Sequence, residues 1–407
     1  MGKKLIKDLE IGSAQLLTPV PEPILYATTI TTANNSYAVW HTVPTSSEEE
    51  AVFISRIPSE KKRDVEIQYV GEGADPDCLI TESEIYVSWV KKDFSTGLWT
   101  VNISIFDKEL NSVSTRSLVA GVRNIFGKPH LVKIENEIVL IYFNDPIKNH
   151  IKIHTYYLHT DKATVQKVSI NSPQDTMVRY SDRCVVAVIE GKDLTSVLTF
   201  NEDRWNPLSS FTKESDYPYR FDLALDDTSA MFVVTFGHDR IATLALNLSD
   251  GSVGEKWAIC DYGKFASIAS ADGHWIVSWV GAPAMPLPDQ GKEYSDRNMV
   301  PFALAVTEIR EEVAEIEKIE GVTRNRSEME ELWGVTSVGP WAPLWLGILN
   351  REGKCIQTYG LLGVRGDENW GTQLSTGGGR GALLWRSYER FEESPQDCFL
   401  NSREFFY

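Results

Sequence analysis

The sequence predicts an all-β chain folded as one closed ring of repeated four-stranded units. Three observations point there. Glu84–Val90, EIYVSWV, returns 190 positions later as Trp275–Val280, WIVSWV, with Val-Ser-Trp-Val identical. Looser relatives of that unit recur along the whole chain at a near-constant period. Each unit also alternates as a strand does: Ile85, Val87 and Trp89 share one face of an extended chain, and Tyr86, Ser88 and Val90 share the other. β-branched and aromatic residues dominate both faces, the composition of a strand buried on two sides.

The relatives are SYAVW ending at Trp40, EIVLIY ending at Tyr142, CVVAVI ending at Ile189 and MFVVTF ending at Phe236, with weaker members ending at Trp333 and Trp385. Together with Trp89 and Trp279 the anchors stand 43 to 54 residues apart. A period of roughly 20–50 residues signals a repeat architecture, and four short strands with their turns fill roughly 40–50 residues. On these strands the chain resembles the β-propeller superfamily over residues 14–407, and residues 1–407 read as a single domain. The resemblance is to the architecture and not to one family. Counting anchors gives eight blades, or seven if the seventh unit is an elaborated insertion. A β-sandwich array is the competing architecture.

Taken in order, Ala14–Leu17 is the expected closing strand, since propeller rings commonly mix N- and C-terminal strands in one blade. Blade one holds Ile24–Thr31, Tyr37–Trp40, Ala51–Ile57 and Val65–Val70. Blade two carries Glu84–Val90 and Trp99–Phe106; blade three Ile138–Phe143 and Ile151–Leu158; blade four Val185–Ile189 and Ser196–Asn201. Blade five has Phe221–Leu225, Met231–Phe236 and Ile241–Leu248, closed by the turn residues Ser249, Asp250 and Gly251. Blade six holds Trp275–Val280, then a loop Gly281–Pro301 with four prolines, a third strand Phe302–Ile309 and a charged outer strand Glu311–Glu320. Blade seven is Leu332–Val338, Leu344–Asn350 and Cys355–Leu362; blade eight is Trp370–Ser375, Leu383–Arg386 and Cys398–Phe406.

The totals narrow the function classes. A net charge of −17 and a pI near 5.0 disfavour binding to nucleic acid or anionic membrane, which needs basic surface. No stretch of 18 apolar residues exists, so no membrane helix is expected. Met1–Glu10 lacks the apolar segment of a secretory signal, and the five scattered cysteines have no C-x-x-C spacing. Both fit a cytoplasmic protein with reduced cysteines. No cofactor is expected: G-x-G-x-x-G, the P-loop and G-x-S-x-G are all missing, and no His/Cys/Asp group has metal-ligand spacing. The family-specific blade motifs are missing as well. The WD dipeptide is absent, Lys91–Trp99 does not match the Asp-box of sialidase-like propellers, and the triple glycine Gly377–Gly379 occurs once where kelch blades repeat theirs.

Candidate site residues follow from the architecture. In propellers a ligand face carries the loops joining second to third strands and those joining one blade to the next. The first set supplies His41, Asp93, Asp145, His238, Asp239, Arg240, Arg386 and Tyr388; the second supplies Arg179 and Arg220. Asp93, Asp145 and Asp239 occupy equivalent positions, so a hydrolase pair of carboxylates is conceivable, although Asp also caps turns. Twelve tryptophans suit sugar stacking, although Trp40, Trp89, Trp279 and Trp385 already serve as repeat anchors. The expected function is a non-catalytic scaffold for a protein partner or ligand. The alternative is a glycan-binding or glycan-cleaving propeller.

Overall fold

The computed structural model describes residues 9–18, 23–43, 49–58, 65–147, 149–212, 220–236, 240–260, 263–281, 341–367, 372–387 and 399–407. They form seven four-stranded antiparallel sheets. The innermost strands are β2 (Ile24–Thr31), β6 (Ala74–Ile80), β10 (Ile125–Ile134), β14 (Asp175–Tyr180), β18 (Arg220–Leu225), β22 (Gly263–Ala271) and β26 (Thr372–Gly377). The second strands are β3 (Ser36–Thr42), β7 (Glu84–Asp93), β11 (Glu137–Ile147), β15 (Val185–Glu190), β19 (Ser229–Phe236), β23 (His274–Gly281) and β27 (Arg380–Ser387). The third are β4 (Ala51–Ile57), β8 (Leu98–Asp107), β12 (His150–Tyr157), β16 (Leu194–Asn201), β20 (Arg240–Asn247), β24 (Trp341–Leu349) and β28 (Phe399–Phe406). The outer strands are β5 (Ile67–Glu72), β9 (Ser112–Val122), β13 (Ala163–Ser169), β17 (Arg204–Thr212), β21 (Val253–Cys260), β25 (Cys355–Asp367) and, for the last blade, β1 (Glu10–Leu16). Each innermost strand touches the innermost strands of both neighbouring sheets, which closes the ring.

The ring closes as the sequence suggests, with β1 pairing antiparallel to β28. The blade number is seven rather than eight. β23 pairs directly with β24, placing Trp279 opposite Trp345, so Trp341–Leu349 is the third strand of blade six and Cys355–Asp367 its outer strand. The expected blade seven had claimed both segments. Residues 282–340 are therefore one insertion between the second and third strands of a single blade. The anchor at Trp333 was an aromatic inside that insertion and not a repeat. The expected strands Phe302–Ile309, Glu311–Glu320 and Leu332–Val338 and the loop Gly281–Pro301 fall on it, outside the described residues beyond Gly281.

The repeat anchors explain why the blades stack. Trp40, Trp89, Trp279 and Trp385 lie on second strands and are buried. Seven apolar clusters result, one for each interface around the ring. Trp89, for example, packs with Tyr37, Val39, Val52 and Ile54 of blade one, and its indole N–H donates to the Glu72 carbonyl at 2.9 Å. Side chains of two β-branched or aromatic faces thus interdigitate at every interface, and packing of this kind dominates the fold energy. One glycine is required for the close approach of chains. At Gly73, with φ of +137°, a Cβ would fall 2.2 Å from the Val90 carbonyl oxygen.

Cys78, Cys184, Cys260 and Cys355 are in no disulfide, and burial raises the thiol pKa of Cys78, Cys184 and Cys355, the last to about 12. Among the described residues no helix is long and apolar enough to cross a membrane.

Candidate functional site

The inner strands of a propeller have one edge on the axis, where polar side chains from every blade meet. Here all seven line a central cavity of about 930 Å³. Its wall carries an arc of charge spanning blades two to five. The Lys128 ammonium on β10 donates to Asp77 Oδ1 on β6 at 2.8 Å and to the Tyr26 hydroxyl on β2 at 2.9 Å. Asp77 Oδ2 accepts the Leu131 backbone N–H at 3.0 Å. Arg179 on β14 donates to Asp222 Oδ1 on β18 at 2.7 Å and to the Leu223 carbonyl at 3.1 Å. Asp222 Oδ2 accepts from the Ser267 hydroxyl at 2.6 Å and the Ile268 N–H at 3.0 Å, both on β22.

Each carboxylate therefore ties its own blade to the next one. Burial alone would raise the Asp77 carboxyl, but Lys128, His130 and the Leu131 N–H together hold it below its ordinary value. Burial likewise opposes the charge on Lys128 and Arg179, and their carboxylate partners overcome it, so both pKa values rise. His130, buried behind this arc with neither ring nitrogen hydrogen-bonded, is pushed down to about 3 by burial and then by Lys128. It is neutral at pH 7.

The other arc, in blades six, seven and one, uses hydroxyls. Ser267 accepts the Leu374 N–H at 3.1 Å, Ser278 meets Thr372 at 2.7 Å, and Ser375 meets Thr31 at 2.7 Å and Thr29 at 3.2 Å.

At the end of the channel where blades connect lies a second group. The Asp75 N–H donates to His41 Nδ1 at 3.0 Å, and His41 stacks on Tyr26 with ring centroids 6.4 Å apart. Burial lowers His41 to about 4. Burial raises Asp75, with Lys128 offsetting only part of it. Burial and then the Asp75 charge raise Glu50. Asp75 and Asp77 thus sit two residues apart on one strand with opposite shifts, because only Asp77 has a direct cationic hydrogen-bond donor.

The sequence-derived candidates separate. His41 is buried in this second group. Arg179 lies on innermost strand β14 in the channel and not in a connection between blades, because β14 runs to Tyr180. Asp93 is exposed and caps its own turn, accepting from the Ser95 and Thr96 N–H and hydroxyl groups, which draws it down to about 2. Arg386 donates to the Ile24 carbonyl across the seam between blades seven and one. Asp145, Arg220 and Arg240 are on β11, β18 and β20, with only their backbones described, and His238, Asp239 and Tyr388 fall outside the described residues. Sequence reasoning missed Tyr26, Glu50, Asp75, Asp77, Lys128, His130 and Asp222. The available signal was polar residues in first strands, above all the alternation of Asp75 and Asp77 in ADPDCLI. Among the described residues no three His, Cys, Asp or Glu side chains are grouped to hold a metal.

The molecule is a seven-bladed β-propeller. No protein-family model and no curated protein matches the chain. Among solved structures it is similar to a subtype N10 neuraminidase-like protein of A/little yellow-shouldered bat/Guatemala, at 11% identity over 67% of this chain and 96% of that one, with a TM-score of 0.43. It is similar to a Trypanosoma rangeli sialidase at 8% identity over 63% of this chain and 52% of that one, with a TM-score of 0.44. It is also similar to the β-propeller domain of the Trilobed protease from Pyrococcus furiosus, at 9% identity over 68% and 79%, with a TM-score of 0.40.

Proposed function

We propose that this propeller is a non-catalytic scaffold presenting a rigid surface to a protein partner. One observation carries the reading: the four channel charges Asp77, Lys128, Arg179 and Asp222 are consumed in joining inner strands to one another. A general acid or base must be poised to exchange a proton with substrate, whereas these groups are engaged in hydrogen bonds to one another and to neighbouring inner strands. The Asp93 carboxylate, the one described member of the expected hydrolase trio, is likewise spent on its turn.

A second reading rests on the Glu50 and Asp75 carboxyls, both raised and both at the blade-connecting end of the channel. Raised carboxyls are what a glycan-cleaving site would use as acids. The two readings separate in one experiment. The purified chain is assayed against a panel of chromogenic glycosides and on a glycan array, in parallel with affinity capture and reconstitution of any captured protein from pure components. The scaffold reading expects silence on sugars and a reconstituted binary complex. Turnover of a glycoside that is abolished in both Glu50→Gln and Asp75→Asn would replace it with the second.

A further inference from the structure

The turns joining first to second strands form the rim of the channel at the end opposite the blade connections, and all seven lie within the described residues. They carry six acids, Glu82, Glu135, Asp182, Asp226, Asp227 and Asp272, and one base, Arg183. The central cavity of about 930 Å³ runs from this rim down to the charged arc. Its wall includes Asp182, Asp226, Asp227 and Asp272 at the rim and Asp77, Lys128, Arg179 and Asp222 below. These charges do not cancel. Lys128 and Arg179 are matched one to one by Asp77 and Asp222, and Arg183 stands 3.8 Å from Asp227. Asp182, Asp226 and Asp272 remain, one from each of three consecutive blades, with no cation paired to any of them among the described residues. Asp226 accepts the Thr228 and Ser229 N–H groups, which are neutral and leave its charge in place. Like charges on a concave wall focus a negative potential into the cavity.

The same wall holds polar groups that the fold leaves unused. The Tyr180 ring packs against the apolar clusters on both sides of blade three, and its hydroxyl makes no hydrogen bond among the described residues. Burial first, then Asp77, Cys78 and Asp182, raise its pKa, so an enclosed neutral hydroxyl stands in the negative field. Across the cavity, the Gln373 amide of blade seven and the Thr28 hydroxyl of blade one also lack a hydrogen bond among the described residues. Enclosed polar groups without partners are uncommon in a folded chain and mark a place where a ligand completes them. We infer that this half of the channel binds an extended organic cation carrying two or more primary ammonium groups. Each ammonium offers three donors and no acceptor; the carboxylates, the hydroxyls and the Gln373 carbonyl are the matching acceptors. A metal ion fits less well. It needs oxygen ligands converging at about 2.0–2.6 Å, and among the described residues no three His, Cys, Asp or Glu side chains are grouped to supply them. The same ammonium chemistry comes from a free polyamine or from lysine side chains of a partner segment. The site does not depend on the scaffold reading.

The test is isothermal titration calorimetry on the full chain, with spermidine and a tetralysine peptide as separate probes. The expected result is one-to-one binding of at least one probe, with an affinity that falls as salt rises. It should weaken at least about tenfold in the double variant Asp182→Asn/Asp272→Asn. It should weaken about threefold in Tyr180→Phe, which removes only the hydroxyl. The double variant should keep the wild-type melting temperature, since both positions are exposed turn residues and Asn tolerates the positive φ of Asp272. Binding of spermidine alone supports the site and assigns it to free polyamines; tighter binding of tetralysine supports it and assigns it to a partner's lysines. The control is Asp193→Asn, an exposed acid between β15 and β16 at the other end of the ring. Equal weakening in that control, several cations bound per chain, or displacement by equimolar magnesium would reduce the binding to diffuse attraction by a chain of net charge −17 and overturn the site. Silence from both probes also overturns it, and leaves the scaffold reading untouched.

Discussion

The two arcs of the channel do the same mechanical work with different chemistry. Asp77 and Lys128 join blades two and three, Arg179 and Asp222 join blades four and five, and blades six, seven and one are joined through Ser267, Ser278, Thr372, Ser375 and Thr31. A charged joint gains strong, directional hydrogen bonds but must offset desolvation, and it becomes costly when one partner is lost. A hydroxyl joint is weaker and fails gently. The charged arc is thus the more demanding of exact partnership, and the hydroxyl arc is the more tolerant. Ser267 is the junction, donating to Asp222 on one side and accepting from Leu374 on the other.

The layer behind both arcs should not distinguish them. Trp89→Ala and Trp385→Ala, one behind each arc, should each cost about 3–5 kcal/mol through the cavity left. Urea unfolding would measure both. A negligible loss for either would break the blade packing, and a large disparity would show that the apolar layer differs too. The next effect in size belongs to the charged arc. Asp222→Ala leaves Arg179 without its carboxylate, but the Arg179 side chain keeps 31% exposure to the channel, so the loss should be about 3 kcal/mol and not more. A matching loss in Ser375→Ala would erase the contrast between arcs; the expected cost there is about 1 kcal/mol.

Acid sharpens the comparison within a single strand. Asp77 is depressed in the fold, so its contribution is present above its ordinary value of 3.8 and is lost as pH falls through the folded value. Asp75 is raised, so its ionised form is penalised in the fold, and that penalty is relieved as pH falls through the folded value toward 3.8. Asp77→Asn should therefore destabilise at pH 7, and Asp75→Asn should not. Thermal melts of the two variants from pH 7 down to pH 4 give the test, and equal losses at pH 7 would contradict the assignment. The buried histidines contribute in the direction of Asp77. His130, held neutral at about 3, contributes stability that is present above 6.5 and lost as pH falls below it.

The ring was legible in the sequence because its second strands are read locally. Val87 and Trp89 need only alternate and be apolar to announce a blade. The blade count went astray at Trp333, where composition alone could not separate an insertion from a repeat; only the pairing of β23 with β24 decides it. The channel was illegible for a different reason. Lys128 meets Asp77 from 51 residues away and Arg179 meets Asp222 from 43 away, and such partnerships follow from ring curvature, which no local pattern encodes. Arg179 was picked out, but as a loop residue, because the end of β14 falls one residue beyond it.

The pairing of β1 with β28 sets a timetable for biosynthesis. Glu10 and Phe406 are register partners, so β1 must wait for β28. At roughly 5–20 residues per second the ribosome takes about 20–80 s to span that interval. For most of that time the apolar residues of blade one that should meet blade seven at the seam have no opposite face. Any second nascent chain on the same message offers an equivalent β1. β28 then chooses between its own β1 and a neighbour's, and spacing of ribosomes along the message becomes a determinant of whether closed rings or linked pairs emerge.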